Sequence, residues 1–235
     1  MTAFNPYIPL NDLDSSIPAA FFEIEIQNTT DETVTYTLCL SVQNPLPSGS
    51  TVNTYGTQGG IRFIRMTSNK LREDDVEFGD LTIATDSPEF SYQEYWFRGQ
   101  WFDSLHVYWK DLTSPGRFKN RQYPKPHEGI QNHSLIAAHL KVKPGKTGKA
   151  RFIISWNFPN CYNYWNPEKD GSGKHKTWKN YYAKVFKNST ASAVYCLENW
   201  DRLYAETVKF RDSLFSSTLP PFVPVSYTHL TLPTN

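Results

Sequence analysis

The stretch AFFEIEIQN, residues 20–28, alternates apolar and acidic side chains, with Phe22, Ile24 and Ile26 on one side of an extended chain and Glu23 and Glu25 on the other. That period of two fits a half-buried β-strand and does not fit a helix. TVTYTLCLSVQNP, residues 33–45, repeats the pattern, with Val34, Tyr36, Leu38, Leu40 and Val42 opposed by Thr35, Thr37, Cys39 and Ser41. The NTTDET between them has turn composition, so residues 20–43 are expected to form an antiparallel hairpin. A second pair is expected at residues 133–158, where HSLIAAHLKVKP and ARFIISWNFP flank the turn PGKTGK. Weaker strand signals occur in IRFIRM (61–66) and LTIAT (81–85). Several sheets with an apolar face each need a covering layer, which predicts a mainly β, antiparallel sandwich up to about residue 160.

Two segments break this rhythm. In residues 92–112, Phe102, Leu105, Trp109 and Leu112 recur at helical spacing and predict a short amphipathic helix. From Thr190, Val194, Leu197, Trp200, Tyr204 and Val208 form one stripe with no Gly or Pro until Pro220 and Pro221. The spacing predicts one helix of about six turns, whose stripe the sheet covers in part and a further domain covers for the rest.

Charge points to no polyanionic partner: 24 Lys and Arg against 23 Asp and Glu generate no field that would gather nucleic acid or an anionic membrane. No run approaches the roughly 18 to 20 apolar residues of a membrane span, and TAFNPYIPLND after Met1 is not a secretory leader, which points to the cytoplasm. Cys39, Cys161 and Cys196 have no short metal spacing and leave one thiol over in any pairing, so they read as small buried residues.

Catalytic motifs are missing where they would be readable. GKTGK and GSGKHK lack the full phosphate-loop pattern, and no G-x-S-x-G elbow occurs. His127, His133 and His139, six apart, do not match a metal-binding spacing, and REDD at 72–75 lacks the order of a calcium loop. Paired carboxylates for glycoside hydrolysis are set by distance in space, and no Glu or Asp is marked out by sequence. Aromatic residues make up 15% of the chain, and NCYNYWNP (160–167) sets Tyr162, Tyr164 and Trp165 directly after a strand. These rings suit a stacking platform for a sugar, or they pack against the long helix or another domain, and the second use is favoured because exposed Trp clusters are normally covered.

With these elements placed, FNPYIPLNDLDSSIPAAFFEIEIQN (4–28) and FIISWNFPNCYNYW (152–165) resemble the N-terminal domain of glycoside hydrolase family 116, which includes β-glucosidases and the non-lysosomal glucosylceramidase. VQNP (42–45), VYWKDLTSPGRFKN (107–120) and most of 181–222 match in the same order. The resemblance implies a β-sandwich followed by an (α/α)6 solenoid that carries both the nucleophile Glu and the acid/base Asp of a retaining mechanism. By that implication no catalytic residue and no cofactor or metal belongs to this chain. Its partners are then the missing C-terminal catalytic domain of the same protein and the glycoside the parent cleaves. Residues 1–188 would be the sandwich, incomplete because family members carry further strands before the Phe-x-Pro motif, and 189–223 a connector helix towards the solenoid. Residues 224–235 match nothing in the family, and VSYTHLTLPT resembles a translated sequencing adapter, so the tail is read as an artefact. The rival expectation is a stand-alone carbohydrate-binding sandwich.

Overall fold

The computed structural model describes residues 1–47, 49–98, 103–114, 116–123 and 132–223. Its strands are β1 (Thr2–Phe4), β2 (Ala19–Gln27), β3 (Val34–Gln43), β4 (Thr51–Gln58), β5 (Ile61–Ser68), β6 (Asp80–Thr85), β7 (Phe90–Gln93), β8 (His133–Val142), β9 (Thr147–Asn157), β10 (Asn160–Cys161) and β11 (Trp178–Lys179). The helices are α1 (Asp12–Ser15), α2 (Asp103–Thr113), α3 (Tyr182–Val185), α4 (Ser189–Glu198) and α5 (Trp200–Phe215). A six-stranded sheet of order β1-β2-β9-β6-β5-β4 packs on a three-stranded sheet of order β3-β8-β7, and β10 pairs with β11 apart from both. The strand pairings are antiparallel, as the alternation predicts.

Successive strand residues point to opposite faces, and in the larger sheet both faces are covered. Ile64, Met66, Ile83 and Phe152 meet Tyr92, Ile136 and Ala138 of the smaller sheet. On the other face Phe21, Ala84 and Ile153 pack under Ala193, Leu197, Trp200 and Leu203 of the C-terminal helices. The outer face of the smaller sheet receives Tyr108 and Leu112 of α2 over Leu135 and Ala137. The result is four layers, helix, sheet, sheet and helix.

The predicted strands are present, but the predicted partners are not. β2 pairs with β9, from Ala19↔Ser155 to Gln27↔Thr147, and β3 pairs with β8, from Val34↔Val142 to Gln43↔His133. Residues 20–43 are therefore no hairpin, and 133–158 is not a strand pair either. Each connection is an arch that crosses between sheets about 10 Å apart, where a hairpin joins neighbours about 4.8 Å apart. The two arches are tied at Asn28, which is fully buried. Its backbone N–H donates to the Lys146 carbonyl and its carbonyl accepts from Gly145, both at 2.9 Å. Its side-chain amide donates to Glu32 O at 2.7 Å and Val142 O at 2.9 Å, while Oδ1 accepts from the Thr30 N–H. Asn28→Ala removes the amide donor to both carbonyls, of which Glu32 O keeps the Thr30 hydroxyl, and a loss of about 2 kcal/mol is expected in urea unfolding. A loss under 0.5 kcal/mol would mean that the arches hold without the knot.

A local hairpin does form between β4 and β5, where Gly59 (φ 57°) and Gly60 (φ 82°) supply the two positive-φ positions of a tight turn. Within that hairpin a Cβ at Gly56 would lie 2.6 Å from the Phe63 ring, so any larger residue there requires that ring to shift.

The C-terminal helix is two helices, not one. Asn199, at φ −108° and ψ 12°, separates α4 from α5, and its Nδ2 donates to the Tyr195 carbonyl. α4 starts on an Asn188 cap to Ala191 N–H, and the Asp80 carboxylate accepts from Ser189 N–H at 2.9 Å, an anion at the positive end of the helix. Small residues bring α4 close to the sheet: Ser189, Ser192 and Ala193 are fully buried, and Ser192 Oγ meets Ser155 Oγ. The predicted stripe is buried through Val194, Leu197 and Trp200, while Tyr204 and Val208 lie past the core.

The helical signal around 92–112 is α2, preceded by β7, which the pattern did not reveal. Its stripe is rotated from the expectation: Leu105 and Trp109 face solvent and Tyr108 joins Leu112 inside, because the sheet lies under that edge. Phe102 of that stripe lies outside the described residues. Among the described residues no helix is long and apolar enough to cross a membrane.

Candidate interdomain or ligand-facing surface

Beyond β9 the chain leaves the sandwich in a hairpin built on β10 and β11, with Asn160↔Lys179 and Cys161↔Trp178 opposed. Its base is fixed. Asn160 is buried and its Nδ2 donates to the Glu73 and Asp75 carbonyls at 2.9 and 2.6 Å, while its Oδ1 accepts from Lys179 Nζ at 2.5 Å. Asn180 Nδ2 and Tyr182 OH both donate to the Phe158 carbonyl, at 2.9 and 2.8 Å. The REDD loop is thus a docking point for the hairpin, completed by an ion pair from Lys174 to Asp74. Asp74 is held below the usual carboxylate range, chiefly by that lysine.

The three rings singled out by sequence divide. Tyr162 turns back and stacks on His175, with ring centres 4.6 Å apart. Tyr164 and Trp165 stand in solvent, 71% and 91% exposed, edge to face at 5.5 Å. Asn163 sets their backbone, its Oδ1 accepting from the N–H groups of Trp165 and Asn166 at 3.1 Å each. Sequence reasoning missed two further exposed rings, Trp178 on β11 opposite Cys161 and Tyr181 after it, 53% and 48% exposed. Their aromatic character was visible, but the hairpin that presents them was not.

This surface offers apolar ring faces. Among the described residues no group of three or more His, Cys, Asp or Glu is placed to hold a metal ion. His133 stacks on Trp96 at 4.5 Å, and His139 sits between the Thr37 and Ser91 hydroxyls at 2.9 and 2.7 Å. Burial pushes both imidazoles below their ordinary pKa. His127 lies outside the described residues. Burial also pushes the Cys39 thiol up to about 12 and the Cys196 thiol up as well, which favours the neutral thiol in both.

A second aromatic set, only partly exposed, flanks α5. Phe4 stands edge-on to Trp200 at 5.4 Å and to Tyr204 at 5.1 Å, and Tyr7 meets Phe210 at 5.1 Å. The N-terminal segment therefore runs along α5 towards its C-terminal end.

The family model described as beta-glucosidase 2, glycosyl-hydrolase family 116 N-term, matches residues 1–203. No curated protein matches the chain.

Proposed function

The chain belongs to glycoside hydrolase family 116, and on that premise we propose that it is the non-catalytic N-terminal domain of a retaining hydrolase acting on β-glucosides or glucosylceramide-like substrates. The observation that carries this reading is the match of the family's N-terminal model over residues 1–203. In this reading residues 1–188 form the sandwich, 189–223 connect it to a catalytic (α/α)6 domain, and the nucleophile and acid/base carboxylates lie in that domain. Residues 224–235, read as an adapter-derived tail, lie outside the described residues.

The test is an assay of the purified chain on aryl β-glucosides beside the full-length hydrolase recovered from the source DNA. Turnover is expected from the full-length protein and none from this chain. Turnover by this chain alone would overturn the reading, as would source DNA that ends in frame at Asn235.

Tyr164 and Trp165 are proposed to meet the catalytic domain or the glycoside at its edge. Because Trp165 is 91% exposed, Trp165→Ala in this chain should change stability by no more than about 0.5 kcal/mol. In the full-length hydrolase the same substitution should lower kcat/KM or the unfolding temperature, and no change in either would remove these rings from the site. Their exposure also supports a stand-alone carbohydrate-binding module. That alternative requires Trp fluorescence to titrate with β-linked gluco-oligosaccharides in this chain alone, a response that Trp165→Ala abolishes.

A further inference from the structure

Leu10 is the sole non-glycine residue at positive φ among the described residues, at 64°, and its side chain is fully exposed. It occupies the third position of a turn closed by Asn11 N–H on the Ile8 carbonyl at 3.1 Å, with Pro9 second. Proline followed by a positive-φ residue is the pattern in which glycine normally fills the third place, because a Cβ is strained there. This chain instead places a large apolar side chain at that position and directs it into water.

The turn is rigid before anything binds to it. Ser15 Oγ donates to the Ile8 carbonyl and accepts from the Ile8 N–H, both at 2.9 Å. Asn11 Oδ1 accepts from Asp14 N–H, and Asp14 is anchored to Arg202 and Tyr195 of the helices. Beside Leu10 lies an open, mainly apolar recess of about 440 Å³ between Tyr7 and Ser15. Tyr7, three residues earlier, donates its N–H to Thr207 and packs on Phe210, which sets the turn beside the C-terminal half of α5. Phe215, Leu219 and Phe222 continue exposed along the path on which the chain leaves.

We propose that Leu10 and the recess beside it are a preformed knob and socket for an apolar surface of the helical domain that follows α5. The proposal rests on the reading that such a domain follows. The occupant is argued from continuity, since the patch borders the helix that leads into the next part of the chain. Backbone strain held in place by a hydrogen-bonded frame is also the signature of a site kept for contact and not for stability.

The test uses one substitution in two contexts. Leu10→Gly removes the strain, so in this chain it should raise the thermal midpoint by about 3 °C. In the full-length hydrolase the same substitution should lower the midpoint of the N-terminal domain, or separate its unfolding from that of the catalytic domain. Shifts of the same sign in both proteins would overturn the proposal and leave the family reading intact. Source DNA without a following domain would remove both. A concentration-dependent dimer of this chain that Leu10→Gly makes monomeric would assign the socket to a second copy, and so overturn the proposal as well.

Discussion

Replacing Trp200 with alanine is expected to lower the unfolding free energy by about 4 kcal/mol, within the range for emptying a large aromatic site in a core. Trp200 is 3% exposed at the first position of α5. It stands edge-on to Phe4 and lies 5.0 Å from Phe21, and the Arg151 guanidinium covers it at 5.0 Å. One ring therefore holds three things together: the short edge strand β1, the second strand of the large sheet, and the start of α5. Removing it leaves a cavity that backbone-tied neighbours cannot close, and it frees β1, a strand of three residues. Urea unfolding followed by far-UV circular dichroism reads the loss, and Trp200→Phe should recover about half of it because one ring of the indole is retained. A loss below 1 kcal/mol for the alanine variant would show that α5 docks without this anchor.

The same residue shows what was legible in the sequence. The stripe Val194, Leu197, Trp200 pointed to one buried face, and that face is buried. The stripe did not reveal the break at Asn199, because a single residue at φ −108° leaves the spacing of apolar positions almost unchanged. Strand existence was readable in the alternation of β2, β3 and β9, since alternation is a local property. Pairing was not. A turn of the composition NTTDET serves an arch between sheets as well as a hairpin within one, and the choice is made by Asn28 reaching Val142, 114 residues away. Likewise Phe21 and Phe22 are both packed inside, on opposite faces, because β2 is covered by helices on one side and a sheet on the other. An alternation read for one buried face cannot record that. For the surface site, composition marked Tyr162, Tyr164 and Trp165 together. The stacking of Tyr162 on His175 separates it from the others, and it depends on how the hairpin returns. Leu10 had no signal in the alternation or the helical stripe, since its meaning lies in a backbone angle.

The second large effect is expected at Arg202, where substitution by methionine should cost about 3 kcal/mol at pH 7. Asp14 is buried, with its carboxylate accepting from Arg202 Nη1 at 2.7 Å, Tyr195 OH at 2.7 Å and Asn11 Nδ2 at 2.7 Å. Burial pushes its pKa up, but the arginine, the phenol and the amide together outweigh burial and hold it below the usual carboxylate range. A carboxylate depressed in this way stabilises the fold above its unfolded pKa, about 3.9, and that contribution is lost as pH falls through the folded value. Methionine keeps the packing of the arginine stem but leaves a buried carboxylate without its countercharge, so burial dominates and the Asp14 pKa rises. The group then destabilises the fold at neutral pH and ceases to do so once protonated. The gap between the two proteins should accordingly be widest at pH 7 and narrow as the pH is lowered towards 4. A gap that is constant over that range would assign the loss to packing. Arg202 is itself 40% exposed and can turn to water, so Asp14→Asn should cost less than Arg202→Met, about 2 kcal/mol. Combining the two substitutions should recover about 1 to 2 kcal/mol of their summed cost, because the buried charge that Arg202→Met strands is then absent.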